Sequence, residues 1–169
     1  MPPTLVVPTV RLHHAWLKAH AEWGAGLHED GFGLDATDDV SSPEGFATWV
    51  ARLSGNAERA TCRWIVEDDE VLGAIALRHV LNEQTGHIGY GIRPSSRGRG
   101  LATWALGQIL VEARPLGMDR VLLVCLADNP ASAKTIERNG GMLETTAESA
   151  VLRYWITLDA TRQDVASAK

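Results

Sequence analysis

Apolar positions along the chain follow two repeats, and each change of repeat marks an element. Near the start, Leu12, Trp16, Ala19 and Trp23 recur at i, i+4, i+7 and i+11, one face of a helix over about Val10–Ala25 with Thr9 as its cap. Thr4–Val7, a short apolar run between prolines, precedes it as an edge strand. Phe46, Trp49, Val50 and Leu53 mark a second helix. Ser42 caps it, Pro43 takes its first position and Ser54-Gly55-Asn56 ends it.

The repeat then shortens. Thr61–Glu67 and Val71–Val80, joined by Asp68-Asp69-Glu70, and then His87–Arg93 read as three strands. Their short connections predict antiparallel pairing. Ala102, Ala105, Leu106, Ile109, Leu110 and Ala113 restore the helical spacing over Leu101–Arg114, which stops at Leu116-Gly117. Arg120–Leu126 is a continuous apolar run, as in a strand covered on both faces. The intervening helix makes this strand a crossover partner, predicted parallel to His87–Arg93. Asp128-Asn129-Pro130 is a turn, Ala131–Asn139 a short helix ended by Gly140-Gly141, and Met142–Glu144 and Val151–Leu158 are closing strands.

Composition narrows the function classes. A chain of 169 residues, 45% hydrophobic and 22% charged, is one ordinary globular domain. A net charge of −5 argues against a nucleic-acid partner. Cys62 and Cys125 are too few for a disulfide scaffold or a cysteine metal site, and suit a reducing cytoplasm. No run has the length or flanks of a membrane span or leader, so no membrane partner is expected. His13, His14 and His20 read as solvated helix residues, and no metal is expected. Residues 24–42, rich in Gly and Asp, read as a solvated loop whose acidity would suit a cationic substrate.

The chemistry concentrates in Arg97-Gly98-Arg99-Gly100-Leu101-Ala102, between a strand and a helix. A helix start offers unpaired N–H groups and partial positive charge, which suits an anion. Glycines let the backbone approach a phosphate, and arginines add forked donors. The turn reads as a pyrophosphate cradle or as a solvated surface turn. It lacks the Gly-Lys-Ser/Thr of a P-loop and the glycine spacing of a dinucleotide fingerprint.

The Arg-x-x-Gly-x-Ala turn resembles the coenzyme A pyrophosphate loop of the GNAT N-acetyltransferase superfamily, whose pattern is Gln/Arg-x-x-Gly-x-Gly/Ala. Arg97, Gly100 and Ala102 take its three fixed positions. Asn129-Pro130-Ala131-Ser132, followed by Ile136 to Gly141, is similar to that superfamily's second cofactor motif. Leu77–Glu83 and Gly86–Pro94 look like a subgroup of predicted bacterial acetyltransferases. The resemblance implies an α+β fold of three layers: a mixed, mostly antiparallel sheet flanked by helices, with a splayed parallel strand pair. It implies one GNAT domain over residues 1–160 and a tail over 161–169.

The resemblance also implies acetyl-CoA as co-substrate and transfer of its acetyl group to a primary amine of a small molecule or protein by direct attack. The cofactor would meet the main chain of Ile92, the turn Arg97, Gly98, Arg99, Gly100, Leu101 and Ala102, and, along its pantetheine arm, Asn129 and Ser132. Asn129 also reads as a turn residue and helix cap. A backbone N–H near Ile92 would face the oxyanion. Glu83 and His79 are the candidate bases, each also readable as an ordinary loop carboxylate or strand histidine. The tyrosine that often protonates the leaving thiolate falls at Ile136, seven residues after Asn129, so the usual acid is missing. Cys125 at the end of a buried strand reads as core. A non-catalytic acyl-CoA-binding module is the alternative. Exposed tryptophans on the first helices would offer a homodimer face.

Overall fold

The computed structural model describes residues 2–24, 31–144 and 150–158. The predicted end of the first helix at Ala25, part of the Gly/Asp loop and the tail 161–169 lie outside them. Strand β1 (Thr4–Val6) leads through one 3-10 turn (Val10–Leu12) into α1 (His13–Trp23), and α2 spans Pro43–Gly55. Then follow β2 (Ala60–Glu67), β3 (Glu70–Arg78) and β4 (Ile88–Ile92). Helix α3 (Leu101–Ala113), β5 (Arg120–Leu126), α4 (Pro130–Arg138), β6 (Met142–Leu143) and β7 (Val151–Thr157) complete the chain.

The predicted caps form. Ser42 Oγ accepts the Gly45 N–H at 3.0 Å, with Pro43 inside the first turn of α2. Thr9 Oγ1 accepts the Arg11 N–H at 3.3 Å. Asp68 and Asp69 both take positive φ in the tight turn between β2 and β3, a conformation that aspartate tolerates.

Two sheets result, ordered β1-β2-β3-β4 and β5-β7-β6, with every ladder antiparallel. No ladder joins β4 to β5, in keeping with the splayed pair expected of them. The sheets meet at one antiparallel bridge between Gly86 and Leu123. There the His87 N–H donates to Leu122 O at 2.7 Å, and the Leu122 N–H donates to His87 Nδ1 at 2.9 Å. Beyond this clasp the strands part, and the edge of β4 is left open.

The first sheet is covered on both faces. Ile75 and Leu77 of β3 pack with Leu106 and Ile109 of α3 in one core, which also holds Val121, Leu123, Ile136 and Tyr154. Val71 and Ala74 face the other core, with Leu12 and Trp16 on one side and Phe46 and Trp49 on the other. Trp16 and Trp49 are each 1% exposed, so these tryptophans form core and offer no dimer face. His14 is exposed as expected, whereas His13 and His20 are half-buried. The His13 ring stacks on Phe46 at 4.1 Å with Nε2 at 2.8 Å from Val40 O, and His20 stacks on Trp16. Residues 31–42 form the loop their composition suggests, with Gly33, Asp35, Ala36, Thr37, Asp39 and Ser41 exposed, and the buried Phe32 and Val40 pin it to the core. No helix among the described residues is long and apolar enough to cross a membrane.

Candidate active site

The gap between β4 and β5 opens into a cavity of about 1010 Å³ that runs the length of β4. Its wall on the β4 side is main chain. Arg93 donates its N–H to Leu72 O of β3 at 2.8 Å. Antiparallel pairs alternate in direction along a strand, so Ile92 and Tyr90 aim their N–H and C=O at the gap. There Ile92 O accepts from Arg97 Nε at 3.0 Å. Glycine at 89 and 91 gives the other face of β4 no side chains, and Gly31 lies close against it, where an added Cβ would stand 3.0 Å from Tyr90 Cα.

The start of α3 closes one end. Gly98 and Gly100 hold φ of 78° and 75°, and an added Cβ would meet nothing within 4 Å at either position. These glycines therefore serve the left-handed backbone of the turn. Gly100 is the N-cap and gives no side-chain cap, which leaves the first-turn N–H groups of α3 open toward the cavity. Arg97, Gly98, Gly100, Leu101 and Ala102 all line the cavity. Arg99 does not: its Nη2 reaches the Glu67 carboxylate at 2.6 and 3.0 Å.

The start of α4 forms the facing wall. Asn129 Oδ1 accepts the Ser132 N–H at 3.2 Å, so it caps the helix and lines the cavity at once. Tyr90 reaches across from β4, its hydroxyl 2.7 Å from Ser132 Oγ. Burial pushes the Tyr90 phenol up to about 12 and raises the neighbouring Cys125 thiol. Ile136 is 1% exposed and packs in the core, which explains why it stands outside this wall.

Glu83 and His79 are not brought to the cavity. Glu83 is exposed and held by Arg153, whose Nη2 donates to its carboxylate at 3.0 Å. Both ring nitrogens of His79 are engaged, Nε2 with Thr61 Oγ1 at 2.8 Å and Nδ1 with Glu58 O at 2.9 Å. No carboxylate or histidine lines the cavity among the described residues. Its charged side chains are Arg78, Arg97, Lys134 and Arg138.

Sequence reasoning passed over the last two, although basic residues at i and i+4 on a helix that follows a cofactor motif share one face. Trp23 and Gly31, contributed from the α1 side, carried no signal of their own. Glu22 docks that side onto the cradle. Its carboxylate accepts from the Ser95 N–H and from Arg93 Nε at 2.8 Å, and these bonds pull it down to about 2. Among the described residues no three His, Cys, Asp or Glu side chains gather as metal ligands would.

The family described as the acetyltransferase (GNAT) domain matches residues 32–142. A ribosomal-protein-serine acetyltransferase of Escherichia coli is 34% identical over 83 residues, 47% of this chain. That match spans about half, 46%, of the relative's own length. Two solved structures share the fold. The microcin C7 self-immunity acetyltransferase MccE, solved with acetyl-CoA and AMP, is 18% identical with 92% of each chain covered and a TM-score of 0.67. RimJ of Mycobacterium smegmatis, solved with a CoA disulfide, is 18% identical over 98% of this chain and 89% of its own, with a TM-score of 0.71. A family match across most of the chain, on an α+β fold whose cavity joins an open strand edge to a glycine-bearing helix start, settles the membership: this chain belongs to the GNAT acetyltransferase domain family.

Proposed function

We propose that this chain transfers the acetyl group of acetyl-CoA to a primary amine of a small molecule or protein, by direct attack while both substrates are bound. One observation carries the reading: the main-chain edge of Tyr90 and Ile92, which has no strand partner on the gap side, and the uncapped start of α3 open on the same cavity. The donor set fits the group. The turn from Arg97 to Ala102 takes the pyrophosphate on backbone N–H groups and one guanidinium, with Lys134 and Arg138 adding positive charge. The β4 edge pairs with the amides of the pantetheine arm, and Asn129 and Ser132 border it. The MccE and RimJ ligands support the same choice of co-substrate.

Catalysis here is mainly alignment. Holding amine and thioester together supplies much of the rate, and the Ile92 N–H faces the gap where an oxyanion donor is needed. The cationic lining favours the neutral, nucleophilic form of a bound amine. Glu83 and His79 take no part in this mechanism, since neither reaches the cavity.

A second reading, a module that binds acyl-CoA without catalysis, is favoured by the lack of a carboxylate or histidine on the described lining. Calorimetric titration with acetyl-CoA and a turnover assay across a broad amine panel separate the two. Saturable binding with turnover is the expected outcome. Binding without turnover on any amine selects the module, and no binding by the folded chain removes both.

A further inference from the structure

The gap holds a hydroxyl that the cofactor motifs leave unassigned. Tyr90 lies midway along β4, opposite Ile75 of β3, and packs against the core shared with α3. Its O–H spans the gap to Ser132 Oγ at 2.7 Å, with Ser132 O at 3.3 Å. A phenol thus joins the strand whose gap-side edge has no strand partner to the helix start that faces it.

Expulsion of a thiolate needs a proton. Among the described lining side chains, Tyr90, Cys125 and the Lys134 ammonium carry protons to give, since serine and threonine hydroxyls are far weaker acids, and Tyr90 and Cys125 are the two that interact at Ser132. Cys125 on β5 is the other titratable group facing the contact. Burial keeps both protonated at working pH. The Tyr90 hydroxyl reaches Ser132 Oγ at 2.7 Å from the open strand edge of β4, whereas Cys125 meets Ser132 from β5. Ile136, the position where the superfamily often carries its acid, is sealed in the core.

We propose that Tyr90 gives the departing sulfur its proton, with Ser132 Oγ holding the phenol in line. The inference rests on the acetyl-transfer reading above. As the amine nitrogen bonds to the acetyl carbon, the carbon–sulfur bond breaks with its electron pair on sulfur. The Tyr90 O–H proton passes to that sulfur, and the proton shed by the new amide nitrogen returns to the phenolate through Ser132 or water. No oxidant or further reactant is required.

The test combines kinetics with a readout on the bound product. In Tyr90→Phe, kcat is expected to fall by about 10²-fold, the scale of a positioned proton donor, while calorimetric affinity for acetyl-CoA and the acceptor KM hold to within a few-fold. The thiol of bound CoA, followed by its thiolate absorbance, is expected to ionise at lower pH in the native chain than in Tyr90→Phe, because the phenol stabilises the anion. Ser132→Ala, which keeps the phenol but releases it, is expected to give a smaller loss of kcat. Unchanged kcat with an unchanged thiol titration overturns the proposal. So does loss of acetyl-CoA binding in Tyr90→Phe, which would make the residue structural. A native chain that binds acetyl-CoA but acetylates no amine overturns the acetyl-transfer reading first and this one with it, whereas native turnover with an indifferent Tyr90→Phe overturns this one alone.

Discussion

Arg97 and Arg99 stand two positions apart in one turn and take different partners. Arg97 lines the cavity and braces Ile92 O, whereas Arg99 turns outward to Glu67. Sequence alone gave both the same forked donor and the same place in the motif. On the structure, Arg97→Ala should weaken acetyl-CoA binding by about 10- to 100-fold, the cost of losing charge-assisted bonds to a phosphate. Arg99→Ala should change the calorimetric affinity by no more than a few-fold, since an exposed ion pair is worth about 0–1 kcal/mol. Equal losses in the two variants would show that Arg99 swings in when the ligand binds. Glu83 and His79 carry the same lesson. Each has the right chemistry, but a carboxylate and an imidazole act only where the backbone delivers them, and Arg153, Thr61 and Glu58 hold these two elsewhere.

Elements were more legible than side chains, because period and punctuation are local. Ser42-Pro43 starts α2, the apolar run Arg120–Leu126 is β5, and α3 begins at Leu101 within the glycine turn. What locality could not show is how α1 meets that turn. Glu22, in the last turn of α1, accepts from Ser95 and Arg93 just ahead of the cradle. Its neighbour Trp23 lines the cavity. Its carboxylate titrates at about 2 in the fold, well below its ordinary value. The stability it adds is therefore complete above the ordinary carboxylate range and is lost as pH falls through that range toward 2. Its side chain is 24% exposed, so screening holds the contribution to about 1 kcal/mol. Glu22→Gln should lower the melting temperature by about 2–4 °C at pH 7. That difference should close as pH approaches 2, and a difference constant with pH would count against the pair.

At the scale of the molecule, the two sheets depend on one narrow clasp. Gly86 sits where an added Cβ would lie 2.5 Å from Leu122 O, and His87 exchanges hydrogen bonds with Leu122 through both main chain and ring. The ring acts as acceptor at Nδ1, which only the neutral imidazole can do. Burial pushes the His87 pKa down, and the Glu83 charge only partly opposes this. The unfolded chain therefore takes up a proton that the fold resists, and stability should drop as pH falls below the ordinary histidine value of about 6.5. Thermal melts from pH 7.5 to 5 should show a declining midpoint in the native chain and a flatter profile in His87→Asn. Identical slopes would remove His87 as the cause.

The sequence by itself determined the parts that depend on near neighbours. Spacing set the helices and most strands, Ser42 and Asn129 set caps, and the run from Arg97 to Ala102 set a helix start fit for an anion. These follow from backbone hydrogen bonding and side-chain period, which reach only a few residues along the chain. The tertiary structure decided what crosses long separations. It joined the two sheets at Gly86 and Leu123 and parted them beyond, drew Trp16, Trp49 and Phe32 into a core with His13 stacked against it, and tied Glu22 to Ser95. It also set Tyr90 against Ser132 across an open strand edge while leaving Glu83 and His79 outside. Those outcomes rest on which apolar faces bury each other and on which buried polar atoms must find partners, and both are settled only when distant segments meet.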